Sequence, residues 1–97
     1  MAKFTQTLEE DGSTTWQSKL DWPHGSPMRV FFGASGDFGS GTLTVEYSFD
    51  EGVTAIPDGE LSFTDDGVAW FYAHPGLRWR ATLASSSNPD IVVSFIA

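Results

Sequence analysis

Two histidines, two pairs of adjacent acids, a serine run, two aligned arginines and four tryptophans are the residues of this sequence with chemistry to offer. His24 and His74 lie in "WPHGSP" and "AHPG", beside prolines that place both in loops. A catalytic triad needs a nucleophile beside its base, and a zinc site needs three or four ligands. Neither histidine has a cysteine, a serine elbow or a third ligand to work with. "SSSNP" at 85–89 has the composition of a turn, not of a nucleophile motif. Asp50-Glu51 and Asp65-Asp66 carry the oxygens that calcium takes, but not the spaced acids of a calcium loop. Among 13 acids some pair falls at glycosidase spacing by chance, and only Asp21, in "LDWPHG", has an aromatic neighbour of note. The expectation is a protein without catalysis, cofactor or metal.

The remaining candidates are binding residues. "GLRWRA" holds two of only five basic residues, and Arg78 and Arg80 project from one face if the segment is a strand. They either neutralise cross-strand acids such as Glu46 or Glu60, or grip carboxylates on a partner, which a planar guanidinium suits. Trp16, Trp22, Trp70 and Trp79 raise sugar recognition, because exposed indoles stack on pyranose rings. Trp79 alternates with arginines and reads as core, whereas Trp22, beside Pro23, is the candidate carbohydrate contact. Exposed aromatics serve equally as anchors of a protein interface.

Strands must position these groups. In "GDFGSGTLTVEYSFDEG", residues 36–52, Leu43, Val45, Tyr47 and Phe49 alternate with Thr42, Thr44, Glu46 and Ser48. That period of two gives one apolar and one polar face. The same pattern predicts strands over 3–8, 14–20, 28–33, 41–49, 60–64, 67–73, 77–84 and 90–96, with no helix. Acidic-glycine turns separate them: "EEDG", "FDEG", "PDGE" and "TDDG". The chain of 97 residues predicts one domain, 1–97, an antiparallel β-sandwich, jelly-roll-like or immunoglobulin-like. Leu77, Trp79, Ala81 and Leu83 are expected to face its core, with Ile91, Val93 and Phe95.

Two segments break the alternation. "VAWFY" at 68–72 and "IVVSFI" at 91–96 are apolar on both faces, more than a small core absorbs. Self-association is the simple way to bury the surplus, with Ala69, Phe71, Val92 and Ile96 as the expected contacts. Phe4 and Leu8 share one face of the N-terminal segment, so residues 1–10 are either an arm that adds to a neighbour or an edge strand of their own sheet.

Composition excludes other partners. A formal net charge of -8 opposes binding to nucleic acid. The longest wholly apolar run, 68–73, is too short to span a bilayer, and "MAKFTQTLEEDG" lacks the apolar core of a secretory signal, so a cytosolic origin is expected. The absence of cysteine leaves no disulfide or thiolate site.

From residue 28 onward the chain resembles small virion proteins of tailed bacteriophages. The resemblance rests on the glycine-bounded strand Gly41-Thr42-Leu43-Thr44-Val45-Glu46-Tyr47-Ser48, the turn Asp50-Glu51-Gly52, the run Pro75-Gly76-Leu77-Arg78 and the closing Ile91-Val92-Val93. Members of this type often carry a tryptophan soon after the Asp-x-Gly turn, where this chain reads "EGVTAIP". The resemblance implies an all-β structural protein of the phage head or tail, made in the host cytoplasm. Its foremost form is a capsid decoration (cement) protein, a homotrimer bound to the major capsid protein or other virion proteins. On that view Phe4, Leu8, Arg78 and Arg80 join the interface. The alternative is a carbohydrate-binding β-sandwich module or a tail- or fibre-associated adhesion component.

Overall fold

The computed structural model describes residues 3–18, 28–74 and 76–96. It is an all-β sandwich of two antiparallel sheets. The strands are β1 (Lys3–Leu8), β2 (Gly12–Ser13), β3 (Gln17–Ser18), β4 (Met28–Asp37), β5 (Thr42–Ser48), β6 (Ile56–Phe63), β7 (Gly67–Ala73), β8 (Arg78–Ala84) and β9 (Asp90–Ile96). One sheet has the order β1-β9-β4-β7, and the other runs β2-β8-β5-β6 with β3 also on β8. The pairing is nested: β1 with β9, β2 and β3 with β8, β4 with β7, β5 with β6. That is a jelly roll, in which a long hairpin is wound so that its two arms stay paired.

The core lies between the sheets and follows the period-two pattern. Leu43 and Val45 of β5, Trp79, Ala81 and Leu83 of β8, and Ile91, Val93 and Phe95 of β9 are all buried, as is Leu77. Phe32 of β4 meets Phe95 at 5.3 Å and Phe63 at 5.4 Å, while Phe71 of β7 meets Trp79 edge-on at 5.9 Å. Each fully buried side chain of this size contributes roughly 1.5–3 kcal/mol of transfer free energy. With 97 residues the core is one layer deep, so every inward strand position matters.

Three elements differ from expectation. β4 runs on past Gly33 to Asp37, because Gly36 takes a φ of 128° and lets the backbone press against β9. A Cβ on Gly36 would collide with the Asp90 carbonyl, so the glycine serves close packing and does not end the strand. "PDGE" at 57–60 is not a turn but part of β6, and the register with β5 shifts between Thr44 and Glu46. That bulge absorbs the proline and glycine at a sheet edge, where both are tolerated. Of the strand expected over 14–20, the described residues form only β3, while β2 starts earlier, at Gly12, and residues 14–16 between the two oppose only Ala81 and Arg80. Thr14 closes the gap: its N–H donates to the Ala81 carbonyl at 2.9 Å and its hydroxyl accepts from the Ala81 N–H at 3.1 Å.

Candidate functional site

The outward side of the β1-β9-β4-β7 sheet carries the most unusual surface. Strand register sets side chains there in rows. Arg29 and Tyr72 form the first row, Lys3, Ile96, Phe31 and Trp70 the second, and Thr5, Ser94, Gly33 and Val68 the third. Phe31, Val68, Trp70 and Tyr72 are 46%, 85%, 49% and 53% exposed, and Val92 follows at 40%. Large apolar groups packed side by side in water are the ordinary mark of a contact surface.

Arg29 organises the aromatic end. Its guanidinium carbon lies 4.6 Å from the Trp70 ring centroid, 5.8 Å from Tyr72 and 5.9 Å from Phe31. Trp70 and Tyr72 meet edge-on at 5.3 Å. A cation shared among three π faces holds the rings in fixed positions and gives the patch one positive charge. Beside it, Phe31, Gly33, Val68, Trp70, Ser94 and Ile96 line an open, mainly apolar groove of about 390 Å³. Gly33 opens the floor of that groove, since it presents no side chain between Phe31 and Ser35.

The expected interface residues divide between the two sides of the sheet. Val92 and Ile96 face outward, Ile96 half-buried beside Phe31. Phe71 is buried in the core, and Ala69 packs against it, so the outward residues of β7 are Val68, Trp70 and Tyr72. Sequence reading chose the wrong side because both alternating sets of "VAWFY" are apolar. The signal was in β4: Arg29 must face water, and alternation then sends Phe31 outward beside its β7 partner Trp70. Phe4 and Leu8 also face inward, Leu8 buried and Phe4 6.3 Å from Phe95. Residues 3–8 are thus an edge strand of their own sheet, and this takes Phe4 and Leu8 off the outer surface.

The arginines of β8 serve their own sheet. The Arg80 Nε–H donates to Glu46 at 2.8 Å, the Thr82 hydroxyl joins the same oxygen at 2.6 Å, and Trp16 stacks on the guanidinium at 4.3 Å. Arg78 donates to the Glu51 carbonyl at 3.2 Å. Cross-strand neutralisation by Glu46, one of the two readings open from sequence, is what Arg80 does.

The turn acids brace backbone. Asp50 accepts from the Thr54 N–H and the Ser48 hydroxyl, each at 2.8 Å, and the Thr54 side chain, then its N–H and the Ser48 hydroxyl, hold the Asp50 carboxyl down at about 2. Asp11 accepts from the Ser85 and Ser86 N–H groups and the Ser86 hydroxyl, which lowers its pKa and ties "SSSNP" to the first turn. Asp66 accepts from the Gly36 N–H at 2.9 Å. Burial, with Asp58 as hydrogen-bond acceptor at 2.7 Å, raises the Tyr47 hydroxyl pKa. Among the described residues no three His, Asp or Glu side chains converge as a metal site. Trp22, Asp21 and His24 lie outside the described residues. No family model, curated protein or solved structure matches the chain.

Proposed function

We propose that this protein works by binding, as a non-catalytic structural component of a tailed-phage particle, and that it attaches through the outer face of the β1-β9-β4-β7 sheet. The carrying observation is the exposed strip of Phe31, Val68, Trp70 and Tyr72, fixed by Arg29 and bordered by the apolar groove. Such rigid aromatic anchors beside a pocket are what protein interfaces use to concentrate binding energy. The virion assignment draws on the resemblance over residues 28–97 and on the jelly roll, an architecture that capsid and lectin domains share. Capsid decoration is the role that best suits a small acidic sandwich with one apolar face.

Mass spectrometry of purified particles tests the reading: the chain is expected in near-stoichiometric amounts with the head proteins. A folded Trp70→Asp variant is expected to be lost from particles. Chain absent from washed virions would overturn the assignment.

A second reading, glycan binding, is favoured by one observation. The Trp70 ring lies beside a groove that also carries the Ser94 hydroxyl, itself 3.2 Å from that of Thr5. Glycan-array binding that disappears in Trp70→Ala would select it.

A further inference from the structure

Four places on this sandwich are sheet edges: β1 and β7 in one sheet, β6 and the β2/β3 pair in the other. An edge presents unpaired N–H and C=O groups, and natural proteins blunt it with charge, proline, a bulge or shortness. β6 has Pro57, Asp58 and Glu60 and a register shift. β2 and β3 have two residues each, and β1 begins with Lys3 and leads into Glu9 and Glu10. β7, "GVAWFYA", has none of these devices over seven residues and keeps unbroken register with β4. Among the described residues no strand pairs with its far side.

We propose that β7 is a self-pairing edge. Two copies of this chain join β7 to β7 antiparallel, about a two-fold axis at Trp70, so that four strands from each copy make one continuous sheet. The pattern of the strand is self-complementary about that axis. Trp70 lies opposite itself, Val68 opposite Tyr72 and Gly67 opposite Ala73, so the outward apolar side chains of both copies fall on one side. No charge meets a like charge within the strand. Just beyond it, Asp66 of one copy lies opposite the exposed His74 of the other, whereas a parallel pairing would set Asp65 and Asp66 against themselves.

Charge favours this arrangement at larger scale too. Glu9, Glu10, Asp11, Asp37, Asp65, Asp66 and Asp90 gather at the end where β1, β4, β6 and β8 finish, whereas the other end sets Lys3, Arg29 and Arg78 against Asp50, Glu51 and Asp58 and so carries far less negative charge. Antiparallel pairing sets the acidic end of each copy beside the Arg29 end of its partner. The blunted β6 edge stops the second sheet from continuing in the same way. A three-fold assembly would need β7 to meet a different edge, and every other edge is blunted. The contact does not rest on the particle reading, and it leaves the aromatic face open and doubled in width.

The test exploits a chain without cysteine, in which Trp70→Cys places a single reporter on the axis. Sedimentation equilibrium at about 100 µM is expected to give twice the chain mass, since a dissociation constant of about 1 µM leaves most chains paired at that concentration. Oxidation is expected to lock Trp70→Cys into a covalent dimer and to leave Lys3→Cys, on the β1 edge, uncrosslinked. Trp70→Lys, which opposes two cations across the axis, is expected to weaken self-association by at least about tenfold, with the circular dichroism spectrum unchanged. A monomer or a trimer overturns the proposal. So does a dimer that crosslinks through Lys3→Cys and not through Trp70→Cys. If Trp70→Lys fails to fold, the crosslinking pair decides.

Discussion

Ser48 and Asp50 show how a turn that reads as a ligand site is used up by its own backbone. The buried Ser48 oxygen accepts from the Gly52 N–H at 2.8 Å while its hydroxyl donates to Asp50. Gly52, at a φ of 91°, then passes under Trp16, where a Cβ would stand 3.0 Å from the indole nitrogen. Because Asp50 is lowered from 3.8 to about 2, its stabilising contribution is complete above its ordinary pKa and is lost as pH falls through the folded value. Between about pH 4 and about pH 2 the melting temperature is therefore expected to fall, and Asp50→Asn to flatten that limb. An acid limb identical in the two proteins would show that Asp50 does not brace the turn. The sequence displays the acids of this loop but not their donors, since Thr54 and Ser48 sit four and two residues away and meet Asp50 only once the chain turns. Arg80 was partly legible: alternation put it on a polar strand face with Glu46 among its possible partners, and the β5–β8 register then makes the pair.

At the scale of elements, β1, β7 and β9 lie where alternation puts them, at Lys3–Leu8, Gly67–Ala73 and Asp90–Ile96. Glycine and proline misled in the other direction: Gly36 and Pro57 both read as breaks, yet Gly36 lies inside β4 and Pro57 inside β6. A break in local propensity ends a strand only when no neighbour supplies the missing hydrogen bonds, and β9 and β5 supply them here. Which side of β7 meets the core was not legible from β7 itself, because Phe71 and Trp70 are equally apolar. Only pairing with β4 decides it. β1 was left open between arm and edge, and its inward Leu8 gives a clean measurement. Leu8→Ala is expected to cost about 2–5 kcal/mol in urea unfolding, against about 0.5 kcal/mol or less for the outward Thr5→Ala. A Leu8→Ala protein of unchanged stability would mean that β1 detaches from β9 in solution and acts as an arm.

For the molecule as a whole, the exposed aromatic strip makes its solubility depend on its charge. A net charge of -8 on 97 residues keeps copies apart except along β7, which among the described residues is the one long uncharged edge. Pairing there uses up the edge on both copies, so the assembly closes at two and goes no further. What prevents growth at neutral pH is the repulsion between the remaining acidic surfaces. As pH approaches the sequence pI near 4.3 that repulsion disappears, while the apolar strip of Phe31, Val68, Trp70 and Tyr72 does not change. Light scattering is thus expected to rise steeply as pH is lowered towards about 4, through face-to-face stacking of dimers already joined at β7. Trp70→Lys removes the central ring of the strip and adds a cation, so it is expected to suppress the rise even when compared at an equal distance from its own pI. Scattering that follows net charge alone, with wild type and Trp70→Lys superimposing on that scale, would mean that the aromatic strip has no part in association and that the outer sheet face is not the sticky surface of this molecule.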